Sequence, residues 1–230
     1  MDTILINSFS AGLVQTIIGH PFDTIKTLNQ IYPNKTDYSI FRSIVKKYGY
    51  TYLYRGSLLP LTGGGIQNSF IFTLENYLNK YSNKNYLISG FLAGGISAIP
   101  VTPAEYIKCN LQYKNDINLK YFYKKNIYKG FGLTFLRDSI GFSLYFSTYN
   151  YLKDINDNPL INGGCAGVVS WIYSYPVDTI KTKYQISNDK MIDIIVKNSN
   201  YKIFSGLRVM LIRSFLVNAG IFYTYEYLQT

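Results

Sequence analysis

Three segments of the 230-residue chain set an acid and a base three positions apart just after a proline: Pro21-Phe-Asp23-Thr-Ile-Lys26, Pro103-Ala-Glu105-Tyr-Ile-Lys108 and Pro176-Val-Asp178-Thr-Ile-Lys181. On a helix, that spacing puts both charges on one face. Pro21, Pro103 and Pro176 each remove a backbone hydrogen bond and kink the helix that holds them. A glutamine stands nine residues after each proline, at Gln30, Gln112 and Gln185. One helical turn beyond each lysine, these amides are placed to brace the charges by hydrogen bonds. A second set, Arg137, Asp138 and Arg213, interrupts stretches that are otherwise uncharged. Two guanidiniums suit a carboxylate or a phosphate, which they grip bidentately.

Bond-making chemistry is not provided for. His20 is the only histidine and precedes Pro21; it is expected to pack near the charged motif rather than to act as a base. No metal cluster, serine triad or Cys–His arrangement can be assembled from the sequence. Cys109 and Cys165 stand in apolar stretches 56 positions apart. They suggest neither a disulfide framework nor a zinc site, and read as small hydrophobes. The run Gly63-Gly64-Gly65 is not a phosphate loop, since no Gly-Lys-Ser/Thr follows it.

The elements that carry these residues are long and avoid charge. Residues 3–22, 56–74, 85–104 and 158–177 contain no Asp, Glu, Lys or Arg. A helix of about 20 residues spans about 30 Å, the hydrocarbon thickness of a bilayer. Residues 131–152 and 207–225 are two weaker spans, broken only by Arg137 and Asp138 and by Arg208 and Arg213. The formal net charge of +10 gathers in the connectors. There it fits anionic lipid head groups better than nucleic acid. The first span is too long for a typical signal-peptide core and no A-x-A site follows it, so a cleavable leader is not expected.

The chain reads as three repeats, 1–82, 83–156 and 157–230. Nine residues before each motif proline lies a glycine (Gly12, Gly94, Gly167), and four before that another small residue (Ser8, Gly90, Gly163). Such a small-xxx-small face lets membrane helices approach closely. The second helix of each repeat opens on an aromatic-x-Gly triplet ending at Gly56, Gly130 and Gly206, and closes on Tyr77-Leu78, Tyr151-Leu152 and Tyr227-Leu228.

In the triple proline motif and the triplets, the chain resembles the mitochondrial carrier family of metabolite exchangers over essentially its whole length. The resemblance implies an all-α membrane protein with six transmembrane helices in three tandem two-helix repeats. These are related by pseudo-threefold symmetry in a single carrier domain, 1–230. It also implies a monomer in the mitochondrial inner membrane, without cofactor or metal, working by alternating access. On the family pattern the matrix gate pairs Asp23 with Lys108, Glu105 with Lys181 and Asp178 with Lys26. The family's cytoplasmic gate is degraded here: its acid positions hold Asn76, Asn150 and Glu226, and its basic positions hold Asn79, Lys153 and Gln229. The resting state is therefore expected to open outward. Connectors are short, and the acidic-Gly signature before the triplet survives only as Tyr48-Gly49. The amphipathic matrix helices should be reduced, the second most of all. Membrane lipids, cardiolipin among them, are the implied partners.

Arg137 and Arg213 each lie seven residues after the triplet glycine, and the same offset in the first repeat reaches Gly63. In the family this depth is the substrate contact level, which carries over to Gly63, Arg137, Asp138 and Arg213. An Arg–acid pair at the second contact resembles family members that carry amino acids. The chain's many tyrosines and net positive charge suit a base and its phosphates. Its AT-biased composition resembles the compact carriers encoded by giant DNA viruses. The expected cargo is a nucleotide or deoxynucleotide. The alternatives are an amino-acid exchanger and a carrier-derived membrane binding protein that does not transport.

Overall fold

The computed structural model describes residues 2–113, 126–155, 158–187, 189–197 and 201–217. All regular structure there is helical: α1 (Asp2–Ile31), α2 (Asp37–Tyr48), α3 (Leu58–Tyr81), α4 (Tyr86–Tyr113), α5 (Phe131–Lys153), α6 (Pro159–Ile186) and α7 (Met191–Lys197). Residues 207–217 form the described part of a last helix, α8. Single 3₁₀ turns at Tyr50–Tyr54 and Tyr201–Phe204 lead into α3 and α8.

The long helices form a ring. Each of α3, α4, α5 and α6 packs against the next, α1 packs against α3, and α8 closes the circuit by touching Gly167 on α6 and Gly19 on α1. The three proline-bearing helices, α1, α4 and α6, also touch one another. Pro21, Pro103 and Pro176 lie inside helices that continue about ten residues beyond them, and α4 carries a further proline, Pro100. The acid and base of each motif thus follow the proline within one continuous helix, and all three motifs line a common small cavity.

Close approach is concentrated between α4 and α5. A Cβ on Gly94 would stand 2.3 Å from the Asp138 carbonyl oxygen, and one on Gly90 2.7 Å from that of Phe142. Only glycine fits at these two positions, so the small-residue face sets the depth of Asp138 against α4. The corresponding face of α6 is looser: a Cβ on Gly167 would meet the Ser214 hydroxyl at 3.4 Å. The side chains of Ser8 and Gly12 lie outside the described residues.

The triplet glycines share a physical reason. Gly56, Gly130 and Gly206 have φ of +83°, +86° and +87°, a left-handed conformation that other residues adopt at a cost. Side chains beside or just after the motif prolines tie these turns down. His20 Nε2 donates to the Arg55 carbonyl (3.0 Å), and the Tyr175 hydroxyl donates to that of Ser205 (2.8 Å). Thr24 and Thr179 donate to the carbonyls of Leu53 and Ile203 at 2.8 and 2.7 Å. The first and third repeats therefore use the same two anchors. Thr102, in the second, bonds the Ala98 carbonyl of its own helix instead.

The connector helices differ in size. α2 has 12 residues and docks Ile40 and Ile44 against Leu28 and Leu53. α7 has only 7 residues. Most of the second connector, 114–125, lies outside the described residues.

Among the described residues, α4 alone is apolar and long enough to cross a membrane by composition. Avoiding charge is therefore not the same as being apolar. The charge-free stretch of α6 includes Ser170 and Ser174, whose hydroxyls are satisfied by the carbonyls of Gly141 and Ser170 at 2.8 and 2.7 Å. Hydropathy counts such groups as polar although their hydrogen bonds are made. The outward faces remain apolar, with Leu92, Ile96 and Ile99 of α4, Phe135 and Leu136 of α5, and Ile172 of α6 all exposed.

Candidate functional site: a shared ring of ion pairs

The three proline motifs meet as a ring. Lys108 Nζ lies 2.6 Å from Asp23 Oδ2, Lys26 Nζ 2.6 Å from Asp178 Oδ2, and Lys181 Nζ 2.5 Å from Glu105 Oε2. Each acid is held by a base from another repeat. The Asp178 and Lys181 side chains are each only 2% exposed. Charges so far from water persist only when paired and hydrogen-bonded.

Arg137 and Arg213 join this ring instead of standing apart from it. Arg137 Nη1 donates to Glu105 Oε1 at 2.8 Å and to Asp178 Oδ1 at 3.3 Å. Its Nε donates to Asp138 Oδ1 at 2.7 Å, and Nη2 bonds the same oxygen. Arg213 Nε lies 2.5 Å from Asp23 Oδ1, and its Nη2 reaches Asp23 Oδ2 at 3.4 Å. Asp23, Glu105 and Asp178 each therefore hold a lysine and an arginine. Four carboxylates face five cations, an excess of one formal positive charge.

A description of the mitochondrial carrier protein family fits the chain three times in succession, over residues 3–86, 79–159 and 156–230. The chain belongs to the mitochondrial carrier family. It is 31% identical to a mitochondrial substrate carrier family protein of Dictyostelium discoideum, over 94% of this chain and 92% of that protein. It is 29% identical to a mitochondrial arginine transporter of Arabidopsis thaliana, and 29% to the human mitochondrial basic amino acids transporter. Each of these covers 94% of this chain and 86% of the relative. Membership makes the chain a multi-pass protein of the mitochondrial inner membrane and a carrier rather than an enzyme.

The carrier's glutamines divide their tasks. Gln30 Nε2 donates to Asp178 Oδ2 at 2.7 Å and so touches an ion pair directly. Gln112 instead exchanges bonds with Thr27 and Thr24, at 2.9 and 3.1 Å. Gln185 donates to the Lys129 carbonyl at 3.3 Å. The expected bracing of an ion pair thus holds at Gln30, whereas Gln112 and Gln185 tie helices and a connector together. The Trp171 ring centroid lies 5.1 Å from Lys26 Nζ. With Tyr175 at 5.6 Å, it gives that ammonium an aromatic contact besides its acid.

The space left within the ring is about 40 Å³, lined by all six motif charges with Thr27, Cys109, Gln112 and Thr182. Small-molecule sites occupy roughly 300–1,000 Å³. The space accommodates water at most. Cys109 is buried beside it as expected, whereas Cys165 on α6 is exposed, contrary to its reading as a packed hydrophobe.

At the opposite end, the described gate positions form no ion pair with one another. Asn76 and Lys153 are exposed, with no bond between them. The Asn150 side chain bonds the Phe146 carbonyl of its own helix at 2.8 Å, and Asn79 Oδ1 is buried without a partner. Glu226 and Gln229 lie outside the described residues, as do the surroundings of Gly63 on α3. Sequence reasoning passed over Glu75 here. It is buried and accepts a hydrogen bond from Ser89 on α4 at 3.0 Å.

Proposed function

We propose that this carrier exchanges an amino acid bearing a second cationic group, of the arginine or lysine type, for a counter-substrate across the inner membrane by alternating access. Six spanning helices in three repeats, 1–82, 83–156 and 157–230, surround one central site in a monomer. The observation that carries the reading is Asp138. Its Oδ1 is taken by Arg137 while its Oδ2 is buried without a partner. A buried acceptor left unmade costs about 1–3 kcal/mol, and an ammonium or guanidinium on the cargo would satisfy it. The excess cation of the ring in turn matches the cargo's carboxylate. An amino acid brings both groups, whereas a nucleotide brings only anions to a site holding an unsatisfied carboxylate oxygen. The Arabidopsis relative, named for arginine, supports the same preference. The amino-acid alternative thus displaces the nucleotide as the favoured cargo.

In this reading Gly63, Arg137, Asp138 and Arg213 form the contact level. The ring of Asp23, Lys26, Glu105, Lys108, Asp178 and Lys181 is the matrix gate, and Asn76, Asn79, Asn150, Lys153, Glu226 and Gln229 are the remnant of the cytoplasmic one. With the matrix ring shut and the other end weakly tied, the carrier rests open to the outside.

Thermal unfolding of the detergent-solubilised carrier tests the cargo class. A ligand at about 100 times its Kd stabilises its protein by about 2.7 kcal/mol. Arginine and lysine are expected to raise Tm by several degrees, and ADP and dATP to leave it unchanged. A rise with dATP and none with arginine would return the reading to nucleotides.

A further inference from the structure

We propose that Glu75 is a proton-binding site at the cytoplasmic end of the carrier, completed by Asn79, and that exchange slows when the proton is lost. Glu75 differs from the other acids of the helical ring. Asp23, Glu105, Asp138 and Asp178 each meet a lysine or an arginine. Glu75 is 4% exposed and meets only the buried Ser89 hydroxyl, which donates to Oε1 at 3.0 Å. No ion pair reaches it among the described residues. A carboxyl taken out of water stays charged only beside a cation, and otherwise takes up a proton. A second group points the same way. Asn79 Oδ1 is buried without a partner, and it stands four residues beyond Glu75, on the same face of α3. An ionised Glu75 would set two acceptors one turn apart with no donor for either. The neutral acid has an O–H to give, and Asn79 Oδ1 is free to accept it. One proton thus serves both groups, while Oε1 keeps its bond from Ser89.

The acid is peculiar to the first repeat. At the same distance from the triplet glycine, the second and third repeats hold Tyr149 and Tyr225. The surrounding elements bring no cation to replace the proton. Tyr77, Lys80 and Tyr81 on α3, Lys84 in the turn to α4 and Lys153 on α5 are all exposed. On α4 the titratable group of this face is Tyr86, three residues before Ser89. Helix α5, which meets α3 where Phe146 packs on Phe72, adds the phenols of Tyr145 and Tyr149. The one charged residue in 2–14 of α1 is an acid, Asp2, whose side chain lies outside the described residues. With its proton, Glu75 is a neutral tie between α3 and α4. Without it, a buried charge faces no cation, and this end of the helix pair must open to water to hold it. Rising pH therefore loosens an end that, on the exchange reading, has to draw together in each turnover.

Infrared spectroscopy reads the proton directly. The chain has three glutamates, Glu75, Glu105 and Glu226, and Glu105 is held by Lys181 and Arg137. Carrier labelled with carbon-13 at its glutamate carboxyls is expected to show, at about pH 7, the label-shifted carbonyl stretch of a neutral acid. The band should vanish in Glu75→Gln and survive in Glu226→Gln. Glutamine keeps the size of the acid, an acceptor for Ser89 and a donor for Asn79, so it preserves the tie and removes the titration. In proteoliposomes with the same pH on both sides, wild-type exchange of labelled arginine is expected to fall at least about threefold from about pH 6 to about pH 8. Exchange by Glu75→Gln should be nearly level over that range. A carrier with only ionised glutamates at about pH 7, or a band that persists in Glu75→Gln, would overturn the proton site. If Glu75→Gln does not fold, the Glu226→Gln spectrum decides: a band lost there belongs to Glu226 and overturns the site. Coincident pH profiles of wild type and Glu75→Gln would overturn the link to transport. A wild type that exchanges no arginine at any pH would overturn the cargo reading instead, and the infrared band would still decide the site.

Discussion

Swapping the charges of one gate pair, Asp178→Lys with Lys26→Asp, should leave the carrier inactive and destabilised. Three isolated pairs would tolerate such a swap, since each new pair would attract as the old one did. Here Asp178 also receives Arg137 at 3.3 Å and Gln30 at 2.7 Å, with Lys181 at 4.0 Å. A lysine at 178 would face Arg137 and Lys181 with like charge, so restoring one pair breaks the others. Breaking a buried ion pair costs about 3–5 kcal/mol. At about 1.4 kcal/mol per tenfold, this predicts a fall in exchange of at least about a hundredfold. The flux in proteoliposomes and the Tm in detergent check it together. Exchange within about threefold of wild type would show that the pairs act singly.

Arg137→Ala should be as severe, and Arg137→Lys should not rescue it. One guanidinium serves three carboxylates here: Nε and Nη2 hold Asp138, and Nη1 holds Glu105 and Asp178. Truncation leaves Asp138, whose side chain is 6% exposed, without its cation, again a loss of about 3–5 kcal/mol. A lysine supplies a single point charge, which cannot meet acids on both sides in the fork geometry of a guanidinium. Exchange is expected to fall about a hundredfold or more in both variants, with a lower Tm in each. Recovery of exchange and Tm in Arg137→Lys would reduce Arg137 to a simple counter-ion.

The ring itself could be read in the sequence because its signal is local and repeated. A proline, an acid and a base at fixed offsets define one helix face, and three copies define three faces that can meet. The aromatic-x-Gly triplets were visible for the same reason, whereas the left-handed φ of their glycines is a finding of the structure. What could not be read depends on where long side chains end. Counting places Arg137 and Arg213 within otherwise uncharged stretches, but does not reveal that their guanidiniums reach Asp23, Glu105 and Asp178. The same limit applies to Trp171, whose contact is the ammonium of Lys26 on another helix. Gln112 and Gln185 share the register of Gln30 yet bond elsewhere, because the threonines and connector carbonyls around them break the threefold symmetry. The cargo expectation rested on net charge and tyrosine content, which report on the whole chain rather than on the adjacent Arg137 and Asp138.

Counter-exchange in proteoliposomes loaded with unlabelled cargo bears most directly on the central claim. External labelled arginine should exchange saturably for internal arginine or lysine, with the exchange lost in Arg213→Ala and unaffected by excess external dATP. Exchange of labelled dATP for internal nucleotide, with no arginine exchange, would contradict the account.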